Sequence, residues 1–424
     1  MKEMLSAREL AFGSLISIEK NRRYPNIEVD TALRDSGLGE ADRGLYTRLV
    51  YGVTEKKMTL DWIISGYSKM PPEELDGQVL CALRMGIYQI SYMDRIPEYS
   101  AVNETVGLVA KKSRGYVNGV LRSFIRAGCD RRLPEGDGPA ELSVRYSVSE
   151  KLAGKLISVY GKDAGKMLSA MEKPSAVGLR VNTLKISAEE ALKLLPQFKI
   201  SPLCGNVISG EELGQKAREG IEKGLWYVED PSSALAASAV GAMPGELVID
   251  TCACPGGKSF SMAMDMQNSG RILSLDIHAN KLSLIERGAG KLGISIIETG
   301  QRDGRDPIPE YVSRADRVLC DAPCSGIGVM GKKPDIRYKD PDEFAKLPRV
   351  QREILEGASG YVRKGGTLVY STCTVLPEEN GDVVRDFLAS HPEFAPDSGQ
   401  WEHQFLPHAD GCDGFYFARM KRIT

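Results

Sequence analysis

The chain is poor in several features that would point to other classes of protein. It has four histidines and nine cysteines, an odd set without a Cys-x-x-Cys pair. This usage argues against a structural zinc site and against a disulfide framework. No apolar run approaches the roughly 18 to 20 residues that span a membrane. The start, Met1–Met4, leads into charged amphipathic sequence and predicts no signal peptide. We therefore expect a cytoplasmic protein without a membrane partner.

Charge of one sign is not in excess either, because 55 Lys and Arg residues balance 57 Asp and Glu residues, for a net charge of −2. Affinity for phosphate depends on local clusters rather than on this total. The basic clusters are Lys111, Lys112 and Arg114; Arg122 and Arg126; Arg131 and Arg132; and Lys332, Lys333, Arg337 and Lys339. The last cluster closely follows an Asp-Ala-Pro-Cys sequence that ends at Cys324, and we expect it to contact nucleic acid.

The 424 residues, of which 42% are apolar and 26% charged, predict a soluble globular protein with two or three domains. Residues 1–126 are predicted to be all-helical, since Val79, Leu83 and Ile87 recur at helical spacing. The Pro- and Gly-rich residues 127–142 are a predicted linker. Residues 143–235 mix helix, over 148–160, with strand, over 176–181, and predict a small α+β subdomain. Cys81 and Cys320 are expected to be buried.

Strands and helices alternate in the predicted last domain, residues 236–424. The predicted strands are 247–250, 271–276, 295–298, 317–321 and 367–373, and the predicted helices include 280–291 and 342–362. This alternation predicts an α/β domain with a mostly parallel sheet and helices on both faces.

A Gly-rich turn follows the first of these strands and reads Asp250-Thr251-Cys252-Ala253-Cys254-Pro255-Gly256-Gly257-Lys258. Gly256 and Gly257 allow the backbone to approach a ligand, and the next helix offers free N–H groups at its N-terminus. The spacing is neither GxGxxG nor GxxxxGK[ST], which weakens the dinucleotide and P-loop hypotheses. Asp276 closes the second strand, where a carboxylate can accept both hydroxyls of a ribose. Asp303 follows the third strand and could meet an adenine amino group.

An aspartate and two cysteines lie at the ends of the fourth and fifth strands. Asp321 and Cys324 come from the fourth strand, and Cys373 ends the fifth. Because ligands bind beyond the carboxyl ends of such strands, we expect these side chains beside the cofactor. A thiolate is well suited to add to carbon 6 of a pyrimidine, which makes carbon 5 nucleophilic. The set therefore predicts methyl transfer to a cytosine or a uracil.

In these motifs the chain resembles the RsmB/NOP family of S-adenosylmethionine-dependent RNA cytosine-5 methyltransferases. The matching residues are Cys252–Lys258, Asp276, Asp303, Asp321–Gly326, Ser371–Cys373 and Glu378–Asn380. The resemblance implies a Rossmann-like class I methyltransferase domain. It also implies that S-adenosylmethionine is bound by Cys252, Ala253, Cys254, Pro255, Gly256, Gly257, Lys258, Asp276, Asp303 and Asp321. Cys254 stands where the family more often has Ala, which a turn lined by backbone should tolerate.

The resemblance also implies a role for each catalytic residue. Cys373 would attack carbon 6 of the target cytosine, and Asp321 would hydrogen-bond to or protonate nitrogen 3. Cys324 would assist removal of the carbon-5 proton and release, and Lys258 would position Asp321 and the base. DNA cytosine-5 methyltransferases use the cysteine of a Pro-Cys motif, which would make Cys324 the nucleophile. The Ser-Thr-Cys sequence at Cys373 favours the RNA arrangement. The base must be unstacked, so a single-stranded or loop target is expected.

Residues 1–126 resemble a NusB-like helical RNA-binding domain. The matching pieces are Ala41–Arg43, Leu49–Val53, Leu83–Gly86, Ala101–Glu104 and Val117–Arg122. A NusB-like domain fused to this catalytic domain resembles the RsmB-type enzymes. The resemblance predicts 16S ribosomal RNA as the partner, free or in an assembling subunit. The protein is predicted to be a monomer. Two alternatives stay open. One is a transfer RNA cytosine-5 methyltransferase, and the other is a non-catalytic RNA-binding or antitermination-type module. Intact Cys324 and Cys373 count against the second.

Overall fold

The computed structural model describes residues 5–21, 23–172 and 176–424, so Met1–Met4 lie outside the described residues. The chain divides into two compact units. The first contains Met1–Leu168 and Lys333–Pro341, and the second contains Ser169–Lys332 and Asp342–Thr424. Among the described residues, no helix combines the length and the apolar character needed to cross a membrane.

The first unit is built from helices. They are α1 (Ala7–Asn21), α2 (Pro25–Arg34), α3 (Glu40–Glu55), α4 (Lys57–Ser65), α5 (Gly77–Tyr92), α6 (Glu98–Leu108), α7 (Lys111–Arg126), α8 (Pro139–Tyr146), α9 (Glu150–Tyr160) and the start of α10 (Asp163–Glu172). Helix α5 begins where the Asp76 carboxylate accepts two backbone N–H groups. It then buries a continuous run from Val79 to Gln89, which includes Cys81 as predicted. The described part of residues 5–126 contains no strand, so the all-helical prediction is confirmed there.

Two predictions for this unit are wrong in part. The predicted linker 127–142 ends early, because Pro139 begins α8, in a position where the missing N–H of proline costs nothing. The predicted nucleic-acid contact after Cys324 is wrong for Arg337, whose side chain is completely buried. Its Nη1 donates to the backbone carbonyl of Tyr146 at 2.9 Å. This guanidinium secures Lys333–Pro341 to the helices and is not presented to solvent.

The second unit begins with a small antiparallel sheet of order β2-β3-β1-β4. Its strands are β1 (Val177–Val181), β2 (Lys199–Ile200), β3 (Val207–Gly210) and β4 (Trp226–Val228), with helices α11 (Ala188–Leu194) and α12 (Gln215–Glu222) between them. Helix α13 (Pro231–Ser238) follows, with the side chain of Asp230 as its N-cap.

A larger sheet of eight strands carries the candidate site. Its elements are β5 (Leu247–Asp250), α14 (Gly257–Asp265), β6 (Arg271–Asp276), α15 (Ala279–Leu292), β7 (Ile297–Gln301), β8 (Ala315–Asp321), α16 (Leu347–Ser359), β9 (Val362–Thr372), α17 (Gly381–Ser390), β10 (Phe394–Pro396), β11 (Glu402–Phe405), α18 (Pro407–Asp410) and β12 (Phe415–Arg422). The order is β10-β12-β9-β8-β5-β6-β7, with β11 paired to β12. Strands β5 to β9 pair in parallel, and β12 pairs antiparallel with β9. The strand order reverses at β5, between β8 and β6, which is where α/β sheets bind ligands.

Side chains of this sheet alternate between two apolar cores. Val248 and Leu319 belong to one core, together with residues of α13, α14 and α15. Their chain neighbours Ile249 and Cys320 belong to the other, together with residues of α16 and α17. A strand with apolar residues on both faces is typical of a parallel sheet covered on both sides. The predicted α/β architecture and the burial of Cys320 are therefore confirmed.

Some element bounds differ from the predictions. Strand β7 begins two residues later than predicted, at Ile297, and β9 begins five residues earlier, at Val362. The helix predicted over 342–362 is wrong in length, because a short 3-10 turn at Pro341–Phe344 precedes α16. Pro348 lies in the first turn of α16, and proline is tolerated at that point but not farther inside a helix.

Candidate active site

The turn between β5 and α14 presents a helix N-terminus at the edge of the sheet. Gly256 adopts a φ of +112°, a left-handed conformation that residues with a Cβ rarely adopt. A Cβ at this position would also lie 2.5 Å from the ring of Phe260. Gly256 has no side chain with which to cap α14, so the first N–H groups of the helix can bind an anionic group.

Asp276 connects the end of β6 to this turn. Its carboxylate is largely buried and accepts the backbone N–H of Cys254 at 3.1 Å and that of His278 at 2.9 Å. These two bonds do not use all the lone pairs of the carboxylate, which also hydrogen-bonds the Cys254 thiol. This is the arrangement expected of a carboxylate that accepts the hydroxyl groups of a ribose.

Asp303 lies beyond β7 and is already engaged by a cation. Arg305 donates to both carboxylate oxygens, at 2.6 Å from Nη2 and 3.0 Å from Nε, and its backbone N–H donates at 3.0 Å. The hydrogen bonds from Arg305 lower the pKa of Asp303 to about 2. The sequence did not predict this pair, and the adenine contact of Asp303 stays a prediction.

Asp250 supports the turn from beneath. Its Oδ2 accepts a hydrogen bond from the Ser259 hydroxyl at 2.7 Å, and Ser259 also contacts Ser274 Oγ at 2.8 Å. Burial raises the pKa of Asp250 to about 7. These interactions join the end of β5 to α14 and β6, which gives Asp250 a structural role.

A lysine and an aspartate form the polar centre of the site. Lys258 Nζ lies 2.8 Å from Asp321 Oδ2, and the Ser371 hydroxyl donates to Asp321 Oδ1 at 2.7 Å. Strands β8 and β9 pair Asp321 with Ser371, which fixes this second contact. Lys258 also lies over the ring of Phe415, 5.1 Å from its centroid. The serine was part of the Ser-Thr-Cys motif, but the sequence did not reveal its contact with Asp321.

The two cysteines predicted to be catalytic are in contact, with 3.3 Å between their Sγ atoms. Both thiols are half-buried. The hydrogen bond to Cys373, followed by burial and by the charge of Cys373, raises the pKa of Cys324 well above its usual value.

The Lys258 ammonium adds to this pattern. Burial by itself would lower the pKa of Lys258, but the carboxylates of Asp321 and Glu229 and the sulfur of Cys373 outweigh it and raise that pKa to about 12. A positive charge near Cys373 stabilises negative charge on that sulfur. The two sulfurs therefore lie in contact with each other and near the charge of Lys258.

A buried group behind the turn had no role assigned from sequence. The hydroxyl of Tyr227 donates to the backbone carbonyl of Gly257 at 2.8 Å or to Glu229 Oε2 at 3.0 Å. The Ser261 hydroxyl donates to the same carboxylate at 2.8 Å. Burial raises the pKa of Glu229 and of Tyr227. Glu229 begins the segment Glu229-Asp230-Pro231-Ser232-Ser233, and nothing local in that segment indicates these partners.

Lys332, the first residue of the basic cluster after Cys324, is paired within this unit. Its Nζ lies 2.8 Å from Asp230 Oδ2 and 2.7 Å from Asp413 Oδ2. These two carboxylates already pair with the ammonium group. The contacts predicted for Lys333 and Lys339 stay predictions.

Comparison of this chain with known proteins identifies its family. Residues 237–421 match the model of the 16S rRNA methyltransferase RsmB/F family, and residues 5–126 match the NusB family. A probable ribosomal RNA small subunit methyltransferase B from Bacillus subtilis is 34% identical over 98% of this chain and 99% of its own length. A similarly named protein from Synechocystis is 32% identical over 99% of this chain and all of its own length.

The chain belongs to the RsmB/F family of ribosomal RNA small subunit methyltransferases. The predicted methyltransferase class and its cofactor, S-adenosylmethionine, are confirmed with the family. The crystal structure of PH0851 shares the fold, with a TM-score of 0.79 and 24% identity over 99% of this chain and all of that one. The structure of a methyltransferase homologue from Pyrococcus horikoshii is also similar, with a TM-score of 0.59 and 26% identity. The match covers 68% of this chain and all of that one.

The donor groups at the turn fit this cofactor. The uncapped N-terminus of α14 suits the carboxylate of its methionine moiety, and the remaining lone pairs of Asp276 suit a ribose. Ile277, which carries no signal in the sequence, is half exposed next to Asp276 in the chain and offers apolar surface to an adenine ring. The residues present therefore fit the carboxylate, the ribose and the adenine of S-adenosylmethionine.

Proposed function

We propose that this protein methylates carbon 5 of a cytosine in 16S ribosomal RNA, through a covalent bond between Cys373 and carbon 6 of the base. The observation that carries the proposal is the contact of two thiols, with 3.3 Å between their Sγ atoms, next to the Lys258–Asp321 pair. Addition to a ring followed by elimination uses one sulfur to attack and a second group to complete the reaction. A site that only binds RNA needs neither.

The first step is the attack of Cys373. The thiol of Cys324 and the ammonium of Lys258 both favour a thiolate at Cys373. A bond forms between this sulfur and carbon 6, and the electron pair of the double bond between carbons 5 and 6 becomes available at carbon 5.

Asp321 helps to neutralise the negative charge that this attack creates on the ring of the base. Its Oδ2 is 2.8 Å from Lys258 Nζ, so a proton can pass from the ammonium through the carboxyl group to nitrogen 3 of the base. Ser371 holds the other oxygen of Asp321 in place. The proton returns by the same path when the ring regains its aromatic character.

S-adenosylmethionine, when bound, supplies the methyl group as an electrophile to carbon 5. We propose that Cys252–Lys258, Asp276 and Asp303 hold it, with Lys258 and Asp321 near its reactive end. The backbone of the turn, the carboxylate of Asp276 and the Lys258–Asp321 pair all lie at one edge of the sheet. This supports binding of the base and the methyl donor next to each other.

Cys324 completes the reaction. Its pKa is raised first by its hydrogen bond to Cys373, then by burial and by the charge on that sulfur. The hydrogen bond to a thiolate and the charge are lost when Cys373 becomes a thioether, while burial remains. Cys324 then gives its proton to solvent and takes the proton from carbon 5. The bond between Cys373 and carbon 6 breaks, and the new thiol of Cys324 donates a hydrogen bond to the departing sulfur.

Covalent trapping tests this proposal with wild type, Cys324→Ala and Cys373→Ala. Each protein is incubated with S-adenosylmethionine and unmodified 16S RNA, or with transfer RNA, and run on a denaturing gel. The expected result is a stable adduct with 16S RNA for Cys324→Ala only, and 5-methylcytosine in RNA treated with wild type. Cys373→Ala should transfer no methyl group.

Other results would contradict specific parts of the proposal. An adduct formed by Cys373→Ala would reverse the two cysteine roles. An adduct formed with transfer RNA but not with 16S RNA would show that transfer RNA is the substrate. The absence of both adduct and methylation, with S-adenosylmethionine still bound, would favour a module that only binds RNA.

A further inference from the structure

The turns that carry Cys324 and Cys373 are joined by a buried carboxylate outside the catalytic set. Glu379 lies in a short 3-10 turn, Pro377–Glu379, and its side chain is completely buried. Its Oε2 accepts the backbone N–H of Ser325 at 2.8 Å, and its Oε1 accepts the Thr374 hydroxyl at 3.2 Å. Ser325 directly follows Cys324, and Thr374 directly follows Cys373. One side chain therefore holds the residue after each thiol.

The surrounding hydrogen bonds leave little freedom in this arrangement. The Gln351 amide nitrogen donates to Glu379 Oε2 at 2.9 Å and to the carbonyl of Pro323 at 3.0 Å. Ser325 Oγ and Thr374 Oγ1 are 2.8 Å apart. Because the proton of Thr374 is directed to Glu379, the hydroxyl of Ser325 is the donor in this last bond. The two cysteine turns are thus bonded to each other as well as to Glu379.

The backbone that carries Glu379 is fixed in the same way. The hydroxyl of Tyr370 donates to the carbonyl of Glu379 at 2.6 Å. Asn380 accepts the Thr372 hydroxyl at 2.6 Å and donates to the carbonyl of Thr374 at 3.1 Å, so it holds the residues on either side of Cys373. A buried carboxylate is costly to desolvate and is retained where its hydrogen bonds compensate that cost. Here each hydrogen bond described for the Glu379 carboxylate leads to one of the two thiol turns or to α16.

We propose that Glu379 is a positioning residue that sets the separation of the two reactive sulfurs, so that Cys324 can act on the adduct formed by Cys373. This inference rests on the proposed function, because it assigns consecutive steps to the two thiols. The Glu379 side chain is completely buried, and we assign it no contact with the base or the cofactor. Its effect is exerted through Ser325 and Thr374.

Three variants separate this role from general support of the fold. Glu379→Ala removes all the acceptor atoms. Glu379→Gln keeps one oxygen for the Ser325 N–H, while its amide nitrogen can donate to Thr374 if that hydroxyl turns toward Ser325. Asp382→Asn is the matched control, because it removes an exposed carboxylate three residues away that pairs only with Arg385 among the contacts described.

The first measurement is the fate of the RNA adduct. With Glu379→Ala, we expect turnover to fall about 100-fold, as for a displacement of about 1 Å in an active site, while affinity for S-adenosylmethionine stays within about threefold. We also expect the RNA adduct to accumulate although Cys324 is present. Glu379→Gln should be intermediate, and Asp382→Asn should match wild type. Cys324→Ala, which should trap the adduct by itself, serves as the positive control for the proposed function.

The second measurement needs no RNA and therefore reports on the geometry even if the proposed function fails. Diamide oxidises two adjacent thiols to a disulfide and is itself reduced to the hydrazine. The Cys324–Cys373 disulfide is followed by peptide mass. We expect wild type and Asp382→Asn to form it at equal rates, and Glu379→Ala to form it about tenfold more slowly, because bridging depends on the positions of both side chains. Glu379→Gln and Thr374→Val serve if Glu379→Ala does not fold. Folded variants with unchanged disulfide rates and unchanged adduct levels would overturn the proposal.

Discussion

The two halves of the candidate site are constructed differently. At the end of β6, the Asp276 carboxylate accepts the backbone N–H groups of Cys254 and His278 and keeps acceptor capacity for a ligand. At the ends of β8 and β9, side chains bond to one another, as in Lys258 with Asp321 and Cys324 with Cys373. The cofactor half leaves hydrogen-bonding capacity for a ligand that binds and departs. The catalytic half is assembled in advance, which lowers the cost of organising charge during the reaction.

Lys258 gives the sharpest test of this comparison, because it belongs to the cofactor turn but directs its ammonium to the catalytic half. Lys258→Met should lower turnover about 1,000-fold, since the site loses the charge that favours the Cys373 thiolate and the proton donor to Asp321. S-adenosylmethionine should still bind within about fivefold of wild type, measured by calorimetry. A variant that loses cofactor affinity and keeps turnover at saturation would place Lys258 in the cofactor half instead.

Gly256 tests whether backbone geometry, rather than side chains, maintains the cofactor half. Gly256→Ala should destabilise the protein by about 2–3 kcal/mol, because the residue has a φ of +112° and its new Cβ would meet Phe260. Gly290→Ala is the matched control in α15, where a Cβ has open space and should stabilise by about 0.5–1 kcal/mol. Thermal or denaturant unfolding measures both changes. Equal effects from the two substitutions would refute the conformational argument.

Asp276 should contribute to binding and not to chemistry. Asp276→Asn is expected to weaken binding of S-adenosylmethionine about 10- to 100-fold, as for the loss of a charged hydrogen-bond acceptor. Turnover at saturating cofactor should change by less than about threefold. If turnover fell and affinity did not, the division between the two halves would be incorrect.

Asp303 should give the smallest effect, because Arg305 already occupies its carboxylate. If it also binds adenine, Asp303→Asn should weaken cofactor binding about three- to tenfold, in the range of one neutral hydrogen bond. Arg305→Ala should leave that affinity unchanged or increase it. Because the pKa of Asp303 is lowered to about 2, we expect the difference between wild type and Asp303→Asn to be constant from pH 6 to pH 9. Equal affinities for all three proteins would limit Asp303 to its ion pair.

Much of this site could be predicted from sequence because strand order and strand ends leave local signals. Apolar runs located β5, β6 and β8, and the parallel arrangement then placed Asp276, Asp321 and Cys324 at one edge. The bounds were less predictable. Strand β9 begins five residues earlier than expected, because the residues from Arg363 to Gly366 are polar or small and carry no apolar pattern.

Contacts between side chains distant in sequence could not be predicted. Arg337 belongs to a basic cluster in the sequence but is completely buried in the structure. Its burial depends on the helices around it, which a count of charges does not describe. In the same way, Glu379 is one of two adjacent glutamates, and nothing local indicates that its carboxylate meets Ser325.

The sequence by itself determined the order of strands and helices, the Gly-rich turn after β5 and the presence of two cysteines at neighbouring strand ends. These follow from local backbone preferences and from the period of apolar residues, which are properties of short segments. Only the tertiary structure decided that Cys324 and Cys373 are in contact, that Lys258 reaches Asp321, and that Glu379 joins the two thiol turns. Those distances depend on how β8, β9 and α14 pack together, and packing is a property of the whole fold.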